Sequence, residues 1–168
     1  MRKRIAGLAA AGLMVLILSA CAGPVEQLET LENTASSSIS QTEVLAENFD
    51  DNLNGLCEYM LANQAVIGER VEMSYKEIGA IGGYRYRFKY NGSTVQAEFY
   101  EFDLDNLNDK AKECLNSTKE KGSFPLLGND VPATLSGKYM LIYTDTSKEQ
   151  ANTEKRDETV DLFASFHS

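Results

Sequence analysis

Few side chains in this chain of 168 residues could do catalytic chemistry. The single histidine, His167, precedes the last residue, where chain ends commonly fray, so it is poorly suited to act as a held general base. The sequence contains no phosphate-binding loop, no zinc-ligand spacing and no dinucleotide fingerprint. Carboxylates are abundant, but their spacing singles out no pair. We therefore expect a protein that is not an enzyme and has no cofactor, with a carboxylate-based hydrolase as an alternative.

Two acidic segments have residue types that could bind a metal ion. Residues 50–55 match the first half of a calcium loop, but Leu61 occupies the position of the bidentate acid. Asp103, Asp105 and Asp109 cluster at the start of a predicted helix, where carboxylates cap the helix and interact favourably with its dipole. We expect no metal at either segment.

Cysteines provide the other reactive groups. Cys57 and Cys114 both fall on the apolar stripe of a predicted helix. In an oxidising compartment an even pair of this kind indicates a disulfide. The alternative is two buried free thiols that act as small apolar side chains. The distance between the two Cα atoms decides between these alternatives, and the sequence does not provide it.

The remaining cysteine, Cys21, follows a segment with the layout of a secretory leader. A basic start at residues 2–4 precedes an apolar stretch at 5–18, which is shorter than the roughly 20 residues of a membrane-spanning helix. The sequence Leu18-Ser19-Ala20-Cys21 resembles the lipobox of bacterial lipoprotein precursors. This resemblance implies cleavage before Cys21, acylation of its thiol, and anchoring on the outer face of a bacterial membrane.

The composition after the leader predicts two further regions. The stretch from Thr34 to Ser40 is small and polar and lacks aromatic side chains, so we expect residues 21–39 to be a flexible tether. The remainder, residues 40–168, has the length of one modest domain. With residues 1–20 as the signal peptide, the chain divides into leader, tether and a single domain.

The charge of the chain limits its partners. The formal net charge is −9, and three of the 16 basic residues lie in the leader, which contains no acid. Such an acidic domain is a poor ligand for nucleic acid, because phosphate binding needs a basic surface. The expected partners are the lipid bilayer, reached through acylated Cys21, and an unknown envelope protein or polymer.

The elements that would position these residues begin with a hairpin over 84–102. Aromatic residues alternate with basic ones before Asn91-Gly92, a dipeptide typical of a two-residue turn in which both residues have positive φ. This turn sets the register, with Phe88 opposite Val95 and Arg85 opposite Glu98. The aromatic residues share one face, which we expect to be core: Tyr84, Tyr86, Phe88 and Tyr90.

Three helices complete the prediction. The first spans about 41–63, after a capping box at Ser40 and Glu43, and the second about 106–121. The last begins at Ser147, again with a capping box.

An unbroken apolar run at 138–144 predicts a strand buried on both faces, and residues 70–81 could add a short fourth strand. The segment between the second helix and this run, with Pro125 and Gly128, is expected to be a loop. We expect an α+β fold, a small and mainly antiparallel sheet packed with about three helices.

A basic stripe on the hairpin is the candidate binding surface. Arg85, Arg87 and Lys89 share the face opposite the aromatic residues and could contact an anionic wall polymer or headgroup. The alternative is a solvated face that Glu98 partly neutralises. The leading hypothesis is an anchored extracytoplasmic lipoprotein with a non-catalytic binding or interaction module. A small-ligand-binding lipoprotein associated with transport is the second alternative.

Overall fold

The computed structural model describes residues 28–31 and 44–167 of the chain. The predicted signal peptide, Cys21 and the capping residues Ser40 and Glu43 lie outside these described residues. The elements confirm the α+β prediction. The helices are α1 (Leu53–Ala62), α2 (Asp109–Lys121) and α3 (Gln150–Ala164). The strands are β1 (Thr30–Leu31), β2 (Val71–Glu72), β3 (Gly82–Tyr90), β4 (Ser93–Glu101), β5 (Ser123–Leu126), β6 (Asn129–Pro132), β7 (Thr134–Ser136) and β8 (Tyr139–Asp145).

The main sheet has the strand order β1-β3-β4-β8-β7, and β2 also pairs with β3. All pairings are antiparallel except that of β1 with β3. Strands β5 and β6 form a separate two-stranded ribbon. Because β1 and β2 pair with opposite ends of β3, they cover parts of an edge that would otherwise be open.

The hairpin of β3 and β4 has the predicted register. Phe88 pairs with Val95, and Arg85 pairs with Glu98. At the turn, Asn91 has a φ of 45° and Gly92 a φ of 76°, as this type of turn requires. The alternation of aromatic and basic residues therefore divides the hairpin into an apolar face and a polar face.

The two faces of the sheet carry two separate cores. The first core lies between the sheet and helices α1 and α3, and the second lies between the sheet, α2 and the β5–β6 ribbon. Strand β8 contributes to both, as predicted for a strand buried on two faces, with Leu141 in the first core and Met140 in the second. Fully buried members of the first core include Leu56, Cys57, Met60, Phe88, Phe99 and Phe163.

The prediction that the first helix starts near residue 41 is wrong. Residues 46–48 form a short 3-10 turn, and α1 begins only after Asn52, whose side chain accepts a hydrogen bond from the Gly55 amide at 2.9 Å. Gly55 lies in the first turn, where a Cβ would come within 2.0 Å of the Asp50 carbonyl oxygen. The chain therefore doubles back against the start of α1 instead of continuing it.

The other two helices also start later than predicted. Asn108 caps α2 by accepting a hydrogen bond from the Ala111 amide, and α2 ends as predicted before Gly122. Helix α3 has no side-chain cap, so the capping box predicted at Ser147 is wrong. Asp145 accepts a hydrogen bond from the Ser147 amide, and Ser147 in turn accepts one from Glu149. These bonds keep the connection non-helical as far as Glu149.

The segment predicted to be a loop after α2 contains β5, β6 and β7 instead. Its ribbon turns at Leu127 and Gly128, which have φ values of 51° and 83°. The geometry is that of an Asn-Gly turn, but leucine gives no such signal in the sequence. Within the predicted tether, Thr30–Leu31 pairs with Lys89 and Tyr90, so this part of the tether is a strand. The possible fourth strand within 70–81 is β2.

Candidate functional site

The predicted basic stripe lies on a part of the sheet that the second core does not cover. We call this part the open face: Arg85, Arg87, Lys89, Thr94, Gln96 and Thr144. Arg87 and Thr144 are exposed, and the other four are half-buried. Alternate residues of a strand are about 6.7 Å apart, so the three cations form an evenly spaced row. The structure thus brings the predicted binding residues together on one face.

Glu98, the acid considered as a partial neutraliser of this face, lies directly opposite Arg85. That carboxylate is buried and accepts hydrogen bonds from the Gln96 side-chain amide at 2.6 Å and the Tyr100 hydroxyl at 2.7 Å. Lys89 donates from its ammonium group to the Thr94 hydroxyl at 2.7 Å. Glu98 thus takes its hydrogen bonds from neutral donors, and its carboxylate belongs to the residue directly opposite Arg85 in the sheet.

A second candidate is a cleft at the start of β3, at the end of the strand remote from Lys89. Its volume is about 290 Å³. The first residues of α1 form one wall, and Glu72 and Tyr75 line the other. Gly82 and Gly83 lie between these walls, with Tyr84 and Glu101 beside them. Sequence reasoning missed this cleft, because its residues come from four separate segments.

Glu101 links the cleft to a polar network. One of its carboxylate oxygens lies 3.1 Å from the Lys138 ammonium, and the other accepts a hydrogen bond from the Leu53 amide. Lys138 also donates to the Asp51 carbonyl oxygen at 2.9 Å. The Tyr139 hydroxyl donates to the Asp51 carboxylate at 2.7 Å, and this bond lowers the pKa of Asp51. The network fixes the start of α1 against β8 and offers no nucleophile beside a free base.

The histidine and the acidic residues considered as candidate functional groups make structural contacts instead. His167 lies 2.9 Å from the Phe49 carbonyl oxygen, so its ring is engaged at the surface. Asp103 accepts a hydrogen bond from the Asn106 side chain, which lowers the pKa of Asp103. Asp109 lies in the first turn of α2 as predicted, but Asn108 supplies the cap. Within residues 28–31 and 44–167, no group of three potential metal ligands is found.

The two cysteines of the domain are free thiols in the structure, so the disulfide alternative is corrected. Cys57 belongs to the first core and Cys114 to the second, on opposite faces of the sheet. A bridge could not tie α1 and α2 together on one side, because these helices lie on opposite sides. Burial raises the pKa of Cys57 to about 11 and that of Cys114 to about 12, so both thiols are protonated and unreactive at neutral pH.

Comparison with protein-family models, with curated proteins and with solved structures finds no match for this chain. Among the described residues, none of the helices is long and apolar enough to cross a membrane. The class that the fold defines is an α+β domain, with helices packed on a mostly antiparallel sheet.

Proposed function

We propose that this protein is a lipid-anchored extracytoplasmic lipoprotein whose domain acts as a non-catalytic binding module. The observation that carries this proposal is the lipobox-like Leu18-Ser19-Ala20-Cys21 after a basic and apolar leader. Acylation and cleavage at Cys21 would place two or three acyl chains at the new N-terminus, and more than one chain is needed for stable anchoring.

The open face is the surface through which this module would act. Arg85, Arg87 and Lys89 present a row of cations on a chain with a formal net charge of −9. A flat row of cations at about 6.7 Å spacing suits an extended polyanion better than a compact ligand. The proposed partner is therefore an anionic polymer of the envelope, and contact with anionic headgroups is an outcome that the test can reveal.

The anchor is tested by labelling cells with a palmitate analogue and measuring intact mass. The wild-type protein should carry the label, lack residues 1–20, and leave the membrane fraction with detergent but not with high salt. Cys21→Ser should lose the label and keep its full mass. Cys114→Ala is the matched control, since it removes a buried cysteine outside the lipobox and should still be labelled. Unprocessed wild-type protein that starts at Met1 would refute the anchor.

The binding surface is tested with an anionic polymer such as polyphosphate. Arg87→Gln together with Lys89→Gln should weaken binding about tenfold, and the remaining affinity should depend less on salt. The control pair Lys110→Gln and Lys112→Gln removes the same charge from α2, away from the open face, and should have little effect. Equal losses of affinity in both double variants would show that binding responds to net charge alone. Binding that requires anionic vesicles instead of the polymer would identify headgroups as the partner.

A further inference from the structure

The cleft at the start of β3 is separate from the open face and does not depend on the anchor. Gly82 and Lys89 are seven residues apart on one strand, which corresponds to about 23 Å. We propose that this cleft binds an uncharged, hydroxyl-rich ligand, namely a saccharide of one or two rings. A volume of about 290 Å³ lies at the small end of ligand sites, which suits such a ligand.

The shape of the cleft is set by the absence of side chains on two adjacent residues. A Cβ on Gly82 would come within 2.8 Å of the Leu53 side chain, and one on Gly83 would come within 2.6 Å of the Tyr100 ring. Both glycines belong to a paired strand, opposite Glu101 and Tyr100 respectively. Helix α1 can therefore start close to β3, and the cleft is a preformed part of the fold.

The charges around the cleft are only partly balanced by internal contacts. Glu101 is paired with Lys138, and its side chain is only 15% exposed. Glu72 lies opposite Tyr84 in the sheet, and the Arg70 guanidinium stacks 4.3 Å above the centre of the Tyr84 ring. Both charged residues that line the cleft are therefore carboxylates, and the cations Lys138 and Arg70 are not among the lining residues. An anionic ligand would meet these carboxylates, whereas the hydroxyls of a neutral ligand can donate to Glu72.

The hydrogen-bonding groups left at the cleft are both donors and acceptors. Arg70 donates to the Asn54 side-chain oxygen at 3.1 Å, which leaves the Asn54 NH₂ group available. The Glu72 carboxylate has no partner among the described residues and can accept. The hydroxyls of Tyr75 and Tyr84 can do either. Sugar hydroxyls also donate and accept, so this mixture matches them better than it matches a pure donor or a pure acceptor.

Apolar surface beside these polar groups completes the match. Ile81 is 56% exposed at the rim of the cleft, and the Leu53 side chain lies under Gly82. A pyranose ring carries C–H groups on its faces and hydroxyls around its edge. Ile81 can cover the C–H groups while Glu72 and Asn54 reach the hydroxyls.

The test uses the full chain in phosphocholine micelles, since sugar-based detergents would compete. Isotope-labelled protein is titrated with mono- and disaccharides of glucose, galactose and N-acetylglucosamine, and with glucosamine and glucuronate as charged probes. We expect saturable shifts of the Gly82 and Gly83 amides and of the Asn54 side-chain amide. The dissociation constant for a neutral sugar should be about 1 mM, in the usual range for small ligands.

Variants separate the cleft from the rest of the surface. Tyr84→Phe keeps the ring under Arg70 and removes one hydroxyl, so it should weaken binding about threefold to tenfold without unfolding the protein. Glu72→Gln should have a similar effect, because the amide is a weaker acceptor. Glu69→Gln removes an exposed acid outside the cleft and should leave binding unchanged.

Two results would overturn the inference. One is the absence of cleft shifts with every neutral saccharide up to about 50 mM, well above the expected dissociation constant. The other is glucosamine binding at least tenfold more tightly than any neutral sugar, which would make the cleft a cation site. Neither result bears on the lipid anchor, which the labelling of Cys21 tests separately.

Discussion

The two faces of the sheet are covered in different ways. On the first face, α1 and α3 seal a core that includes Leu56, Phe88 and Phe99, each 0% exposed. On the second face, α2 and the β5–β6 ribbon cover only the part near Tyr100 and Met140, and the open face remains. Burial of apolar area is the main stabilising term in folding. The first face thus provides most of the stability, which leaves the second free to carry exposed charge.

The largest expected effect on stability comes from removing a buried aromatic ring from each core. Phe99 lies in the central strand and contacts the rings of Tyr86 and Phe163, so Phe99→Ala should lower the free energy of unfolding by about 5 kcal/mol. Phe124 lies in the ribbon, which can collapse more easily onto the cavity, so Phe124→Ala should cost about 3 kcal/mol. Urea denaturation measures both. A larger loss for Phe124→Ala would reverse the proposed ranking of the two cores.

The second prediction concerns the buried thiols at high pH. The pKa of Cys57 is about 11 in the folded protein against 9.0 for an ordinary cysteine, because burial disfavours the thiolate. The folded protein holds the thiol proton more tightly than the unfolded chain does. The resulting contribution to stability is complete below pH 9 and is lost as the pH rises from 9 to 11. The difference between 9.0 and about 11 corresponds to at most about 2.7 kcal/mol in the free energy of unfolding.

Denaturation at several pH values tests this prediction. The free energy of unfolding should fall between pH 9 and 11, and it should fall less steeply in Cys57→Ala. In Cys114→Ala the fall in the free energy of unfolding should differ from that of wild type up to about pH 12, since the pKa of that thiol is about 12. If the stability differences from wild type do not change with pH, the two buried thiols do not cause the pH dependence. Without reductant, the unfolded protein should expose both thiols to alkylation.

The third prediction compares buried polar side chains beside the two cores. Asn152 is 1% exposed, donates to Asp145 at 2.7 Å and accepts from Asn91 at 2.8 Å, so it joins α3 to β8 and the hairpin turn. Asn152→Ala should cost about 2 kcal/mol, because buried groups lose their partners. Thr118 donates to the Cys114 carbonyl oxygen within α2. Thr118→Ala should cost less than about 1 kcal/mol, since alanine favours the helix.

Thermal and urea unfolding of the two variants provide the comparison. Asn129→Ala, at an exposed position of the ribbon, serves as a control and should change stability by less than about 0.5 kcal/mol. Equal costs for Asn152→Ala and Thr118→Ala would show that the network at Asp145 does not tie the hairpin turn to α3.

The parts of the fold that were predictable from the sequence belong mostly to the first face. Alternating aromatic residues and Asn91-Gly92 predicted the hairpin and its register, because the side-chain period of two and the turn geometry are local. The apolar spacing of Leu53, Leu56 and Met60 predicted α1. Its start was wrong because the close approach of Asp50 to Gly55 depends on chain reversal, which periodicity does not reveal.

The β5–β6 ribbon on the second face was harder to predict because its strands are short and their signals are weak. The ribbon strands have four residues each, contain Pro125 and Pro132, and turn at Leu127. For the candidate sites, the basic row follows from strand alternation, whereas the cleft needs Glu72, Asn54 and Gly82 from distant segments. Only the packing of α1 against β3 brings these residues together.

The smallest expected effect concerns the turn of the β5–β6 ribbon. Leu127 has a φ of 51° and a side chain that is 94% exposed, so it adopts a left-handed conformation and gains little from packing. Asn91, at the equivalent position of the first hairpin, has a φ of 45°. Asparagine tolerates this conformation better than leucine does, because its side chain can hydrogen-bond locally. Leu127→Asn should therefore raise the free energy of unfolding by about 0.5–1 kcal/mol.

A control separates backbone strain from the removal of an exposed leucine. Leu104 is 52% exposed and does not have a positive φ, so Leu104→Asn should change stability by less than about 0.5 kcal/mol. A gain in Leu127→Asn alone would show that the ribbon carries strain at its turn and that the second face is less well optimised than the first. If Leu127→Asn is neutral or destabilising, the exposed leucine makes a stabilising contact. The ribbon tip would then be a more ordered part of the second face than its exposure indicates.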